Sequence, residues 1–226
     1  MSRILVVAAH PDDEVLGCGG TLARHATAGD DVHVLIVTEG ATSRDDMRDP
    51  TGRGDEMRAL RAAAAAAAHA LSIQAPRFGG LPDNRLDSLP LLDVVKLVEK
   101  VVAEVGPEIV YTHCGVDLNI DHQRVSQAVL TACRPQPGAT VRRILAYETQ
   151  SSTEWSASGV FRPTVYVDIA AYLPAKMRAL QAYAAEMRAF PHARSLEAIE
   201  ALARWRGASA GMMAAEAFEL MRECQV

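Results

Sequence analysis

An unbroken apolar run, Ile4-Leu5-Val6-Val7-Ala8, leads directly into Ala9-His10-Pro11-Asp12-Asp13-Glu14. The run has the length and character of a buried strand. The acidic stretch at its end is hard to explain by packing. Three consecutive carboxylates repel one another, and none gains from burial unless a cation or a hydrogen-bond donor compensates it. A metal ion is the simplest compensation, so the end of this strand is the first candidate for a chemical site.

Beyond it, short β-branched runs alternate with longer helix-forming segments. Strands are predicted at Arg3–Ala9, Val32–Thr38, Ile73–Phe78, Glu108–His113, Arg143–Tyr147 and Thr164–Asp168. Helices are predicted at Glu14–Ala28 before Gly29-Asp30, at Asp55–Leu71, at Leu91–Val105 before Gly106-Pro107, and from Asp121-His122 to about Cys133. Two more, Pro174–Arg188 and Ser195–Met213, flank the turn Phe190-Pro191-His192-Ala193-Arg194. The alanine run Ala62 to Ala68 favours helix and allows close packing. Gly17-Cys18-Gly19-Gly20 lies inside the first helix, not at a strand-to-helix turn where a pyrophosphate docks, and reads as close packing. This rhythm predicts an α/β domain with a mostly parallel sheet. Ligands of such sheets sit outside the carboxyl ends of the strands. His10, Glu39, Asn84, His113, Asp121 and Glu148 all come just after strands and are expected to gather on one rim.

With 226 residues, 49% of them hydrophobic, and no Ser/Pro/Gly-rich break, residues 1–226 can bury a core as one domain. Net charge is −5 and the basic residues are scattered, which argues against a nucleic-acid or anionic-membrane surface. No run approaches the roughly 20 apolar residues of a membrane span, and the N-terminus has neither signal-peptide nor transit-peptide character. Cys18, Cys114, Cys133 and Cys224 show no zinc-finger spacing and no disulfide framework, so a reducing cytoplasm is the expected location.

A catalytic zinc site needs three protein ligands and one open position for water. His10 and Asp13, three apart across the strand-to-helix turn, are close enough to grip one ion, and His122 would supply a third ligand from the neighbouring rim. By itself Asp121-His122 is an ordinary helix cap with a surface histidine; beside the first motif, ligation is favoured. Asp12 or Glu14 is the candidate general base. Asp12 is preferred because it precedes the helix and can turn toward the site, whereas Glu14 lies in the first turn near the positive dipole end.

His10-Pro11-Asp12-Asp13-Glu14, with Asp121-His122 and Val125 about a hundred residues later, closely resembles the PIG-L/LmbE-like zinc N-deacetylases. The resemblance covers most of the chain. It implies a Rossmann-like three-layer sandwich with C-terminal helices and removal of an acetyl group from an N-acetylated amino sugar or a related amide. It further implies one Zn2+ per chain on His10, Asp13 and His122, with Asp12 as general base. In family members whose second motif reads His-x-Asp-His, the first histidine helps to stabilise the oxyanion and the acid orients it. Here those positions are Asn119 and Asp121, so the leaving amine must take its proton from another group. Asp12 with help from His192 is the expectation, and His113 is the other spare histidine.

Substrate hydroxyls would be met by Arg58, Asn84, Arg85, Asp117 and Asn119, and an Arg could hold a phosphate on a conjugated sugar. The donor set also accepts Fe2+ or another divalent ion. A homo-oligomer is compatible with the sequence. Two other readings compete: a metal-dependent phosphoesterase with a second ion at Asp117, Asp121 and His113, and a non-catalytic sugar-binding protein on the same fold.

Overall fold

The first strand, β1 (Arg3–Ala8), is buried from Ile4 onward because its two faces serve two different cores. Ile4 and Val6 pack into one core while Leu5 and Val7 pack into the other. In a computed structural model, which describes residues 1–225, this strand lies near the middle of a seven-stranded sheet. The chain continues through α1 (Asp13–Thr27), β2 (Asp31–Thr38), α2 (Gly54–Ala70), β3 (Arg77–Leu81), α3 (Leu91–Val105), β4 (Ile109–His113) and α4 (Ile120–Ala132). It then forms β5 (Arg143–Tyr147), β6 (Val165–Asp168), α5 (Leu173–Ala182), α6 (Leu196–Ala208) and β7 (Ala215–Glu223).

The sheet order is β3-β2-β1-β4-β5-β7-β6. β1 to β5 are mutually parallel, and β7 runs antiparallel between β5 and β6. Residues of α1, α2 and α5 cover one face: Leu16, Leu22, Ala64, Ala67, Ala179 and Leu180. The opposite face is covered by α3 and α4 through Val94, Val95, Val98, Val125 and Val129. The architecture is therefore the expected three-layer α/β sandwich. Strand order reverses between β1 and β4, and the crevice beyond their carboxyl ends is where such a sheet receives ligands.

Three elements depart from the sequence expectation. The third strand is not Ile73–Phe78 but Arg77–Leu81, so Gly79 and Gly80 belong to a strand and not a loop. A Cβ on Gly79 would sit 2.6 Å from the Val37 carbonyl oxygen, so the glycine is there to let β3 approach β2. The helix expected over Ser195–Met213 stops at Ala208, and the next segment enters the sheet as β7. Its Ala, Glu, Leu and Met residues favour helix, and pairing on both sides overrides that preference. The helix expected over Pro174–Arg188 likewise ends at Ala182.

Strand β7 also repairs a break in the helix that carries the acidic motif. Cys18 leaves helical geometry at φ −144°, ψ 18°, which frees backbone N–H groups one turn later. Glu216 accepts two of them, from Gly20 at 2.9 Å and Thr21 at 2.7 Å. Lys176 of α5 donates to Glu216 at 2.6 Å and to the Leu16 carbonyl at 2.8 Å, and both charges are buried. Removing one partner of such a pair leaves an uncompensated charge. Glu216→Ala is therefore expected to lower the unfolding free energy in urea by about 3–5 kcal/mol. The double variant Lys176→Met/Glu216→Gln should recover much of it; a single-variant loss below about 1 kcal/mol would show that the pair behaves like a surface bridge.

Candidate active site

Asp13 opens α1 with its carboxylate turned back toward β1. Its Oδ2 accepts the His10 backbone N–H at 2.8 Å and lies 3.1 Å from His10 Nδ1 and 3.3 Å from His122 Nε2. The two imidazole nitrogens are 3.2 Å apart. Three donors around a tetrahedral ion at about 2.0–2.1 Å stand roughly 3.3 Å from one another, so this nearly equilateral triangle fits a divalent cation. The electrostatics agree. Burial alone would discharge both histidines, yet their acidic neighbours hold His10 well above the ordinary imidazole range and raise His122 to about 9. Burial likewise acts to raise Asp13, but the charge of His122 and the hydrogen bonds from His10 and His122 hold it well below the usual carboxylate range. The cluster is built to share positive charge.

Each histidine is oriented from behind, as metal-binding imidazoles are. His10 Nε2 is 3.2 Å from Asp121 Oδ2 and 3.5 Å from Asp83 Oδ1, so a proton donated there leaves the Nδ1 lone pair facing the triangle. Asp121 is itself held by the Leu86 N–H at 2.9 Å. His122 Nδ1 lies 3.1 Å from Asp117 Oδ1, close enough to pair but out of line for a hydrogen bond. Asp117 is lowered to about 2, with burial outweighed by His122, Ser152 and Thr153. His113 stacks on His122 with centroids 3.9 Å apart. Its Nε2 accepts the Ala9 N–H at 2.9 Å, which places the ring proton on Nδ1 toward Thr149. Burial pushes His113 down to about 3, so it is a neutral wall of the site.

Asp12 is 2% exposed and sits beside the triangle with backbone φ 104°. Burial raises its carboxyl well above the usual range, against the pull of Arg194, whose Nη1 lies 3.1 Å from Asp12 Oδ2. The Asp12 N–H donates to Glu14 Oε2 at 3.1 Å, and Glu14 Oε1 accepts the Tyr183 hydroxyl at 2.6 Å. Glu14 thus points away from the triangle, and burial raises it to about 7.

A polar cavity of about 220 Å³ opens over these groups. His10, Asp12, Asp13 and His122 form its floor, and Ser43, Arg44, Asp83, Asn84, Asn119, Ser151, Ser152, Glu186, Arg188 and Arg194 line its walls. Of the substrate-contact candidates, Asn84 and Asn119 are present, joined by a 2.8 Å hydrogen bond. Asn119 also caps α4, accepting from the Asp121 and His122 N–H groups. Arg58 is not there: it is exposed on α2 and pairs with Asp55. Arg85 reaches the Asp46 carbonyl outside the cavity, and Asp117 is buried behind His122. His192 lies on an exposed turn, accepting the Arg194 N–H and packing edge-on against Trp155. The turn that suggested a histidine instead delivers Arg194. Glu39 and Glu148 follow β2 and β5 at the same end of the sheet but do not line the cavity, being held by Arg48 and Arg206. Asp83, Tyr183 and Arg194 carry no signal in the sequence that sets them apart; Asp83 adjoins the candidate Asn84, and Arg194 lies two positions beyond the candidate His192.

A sheet that presents a two-histidine, one-carboxylate triangle and a further buried acid at its switch point has the equipment of a hydrolase. The model of the family PIG-L, GlcNAc-PI de-N-acetylase, matches residues 5–133, more than half of the chain. The chain belongs to this family and is an amide hydrolase acting on carbon–nitrogen bonds other than peptide bonds. It is 34% identical over 185 residues to the Escherichia coli (strain K12) protein named uncharacterized deacetylase YaiS, covering 79% of this chain and 88% of that one. Identity is 28% over 243 residues to the 1D-myo-inositol 2-acetamido-2-deoxy-alpha-D-glucopyranoside deacetylase 1 of Saccharopolyspora erythraea, covering 82% and 78%. Among solved structures, the conserved protein TT1542 from Thermus thermophilus superposes with a TM-score of 0.78 at 25% identity, covering 100% of this chain and 97% of that one.

The double use of Asn119 yields a prediction. Asn119→Ala removes the acceptor at the start of α4 and should destabilise the protein by about 1 kcal/mol in urea unfolding, whereas Asn119→Asp should keep most of the stability. Equal losses in the two variants would show that the cap is not what Asn119 contributes.

Proposed function

We propose that the chain is a zinc-dependent N-deacetylase of an N-acetylated amino sugar or its conjugate. One observation carries the reading: the His10–Asp13–His122 triangle has the edges of a tetrahedral ligand set and lies next to a buried, unligated Asp12. The substrate class is supported by the cavity's hydroxyl-binding groups, Ser43, Asn84, Asn119 and Ser151. It is supported too by the acetamido sugar in the name of the Saccharopolyspora relative. The free state of Cys18, Cys114, Cys133 and Cys224 supports a reducing cytoplasm, and among the described residues no helix is long and apolar enough to cross a membrane.

A divalent ion bound at the triangle would supply a polarised carbonyl and a water of lowered pKa. The chain's own residues do the rest. Asp121 and Asp83 fix the ring of His10, and Asp117 faces the outer nitrogen of His122. Asp12, raised by burial, takes a proton from the attacking water as its oxygen adds to the amide carbon. When the C–N bond breaks, the same carboxyl returns the proton to the departing nitrogen, giving acetate and a free amine. His192 is outside the cavity, so Asp12 serves as both base and acid. The phosphoesterase alternative loses support because Asp117, Asp121 and His113 are each engaged with different partners and do not converge.

The test pairs elemental analysis with acetate release from a panel of N-acetylated amino sugars. Wild type is expected to hold about one zinc per chain. Asp12→Asn should keep the zinc and lose about 10²–10⁴-fold in kcat, while Asp13→Ala should lose both zinc and activity. Metal without acetate release from any substrate would sink the deacetylase reading, and two ions per chain would restore the phosphoesterase.

A further inference from the structure

Resting on the deacetylase reading, we infer that Arg194 is a catalytic residue that donates to the carbonyl oxygen of the scissile amide as negative charge builds on it. Addition of water to an amide places charge on that oxygen, and a preorganised donor aimed at it is among the largest sources of rate. Several of the cavity's other donors are already paired. Asn119 Nδ2 donates to Asn84 and Asn84 Nδ2 to Ser43, while Ser152 donates to Asp117. Arg44 is neutralised by Glu56 and Glu186.

Arg194 is different. Its Nε donates to Ser151 Oγ at 3.0 Å and one Nη1 hydrogen to Asp12 Oδ2 at 3.1 Å. These two contacts hold the guanidinium plane from two sides. Its Nη2 has no protein acceptor among the described residues, although the side chain is only 23% exposed and lines the cavity. A guanidinium carries five donors in one rigid fork, so the remaining ones keep a fixed direction. Water delivered by Asp12 reaches a carbon within a few bonds of Asp12 Oδ2, and the oxygen on that carbon therefore lies within reach of the same fork. The segment that supplies Arg194 lies outside the matched residues 5–133, so nothing in the family match assigns it.

The experiment uses the zinc-loaded 226-residue chain, the N-acetyl sugar that the panel turns over fastest, and the methylphosphonamide of the same amino sugar as a tetrahedral anionic probe. Arg194→Ala is expected to keep its zinc and its KM within about threefold while kcat falls about 10²–10³-fold. The probe's affinity, measured calorimetrically, should fall in step with kcat/KM, and Arg194→Lys should recover part of both. A higher KM at unchanged kcat, with substrate and probe weakened alike, would make Arg194 a plain binding residue and overturn the assignment. So would unchanged kcat and probe affinity. A wild type that binds zinc but cleaves no substrate overturns the deacetylase reading instead, and probe affinity independent of Arg194 in that protein would still refute the anion contact.

Discussion

One carboxylate oxygen, Asp13 Oδ2, joins the parts of this site that come from distant places in the chain. It touches the backbone and ring of His10 after β1 and the ring of His122 in α4, with His113 of β4 3.5 Å away. A buried carboxylate with no cationic neighbour would cost several kcal/mol and take up a proton. Here the imidazoles of His122 and His10 keep it ionised. The same demand explains the outer ring of acids. Asp121, Asp83 and Asp117 are buried because they answer the outer nitrogens of His10 and His122.

Asp12 depends on a different constraint. Its left-handed backbone, φ 104°, is unfavourable for a residue with a side chain by about 1–3 kcal/mol. The conformation persists because Glu14 accepts its N–H and Tyr183 holds Glu14. This splits two adjacent acids between two tasks. Asp13 turns to the histidines, while Asp12 turns to the cavity and Arg194. Glu14, the third acid, turns to Tyr183 and away from the cavity. The C-terminal half of the chain thus shapes a motif that lies in the N-terminal half, through α5 and the turn after it.

Much of this was legible in the sequence where the determinants are local. A buried strand running into His10-Pro11-Asp12-Asp13-Glu14 and the pair Asp121-His122 at the start of a helix are patterns within a few residues, and the parallel rhythm comes from apolar periodicity. The features that sequence reading missed were decided by tertiary contact. β7 is written in helix-favouring residues and becomes a strand only because β5 and β6 offer edges to it. Gly79 and Gly80 look like a turn and serve as strand. Arg58 and Arg85 carry the right groups for a sugar but face elsewhere. Arg194 carries no local signal at all, since a backbone turn selects it over its neighbour His192. Asn119 was expected at the cavity and is there, yet the cap of α4 claims its amide oxygen.

The position of β7 has a consequence for how the molecule is made. Residues 215–223 come after every other strand in the sequence, yet they fill the slot between β5 and β6. During synthesis the three histidine and aspartate donors are complete, and β1 to β5 can already pair, while β5 still presents an open edge. An unpaired edge is a template for any other strand, including one from a neighbouring nascent chain. The His10–Asp13–His122 corner can therefore form before the sheet is sealed, and in the interval between the two the edge of β5 stays open to mispairing.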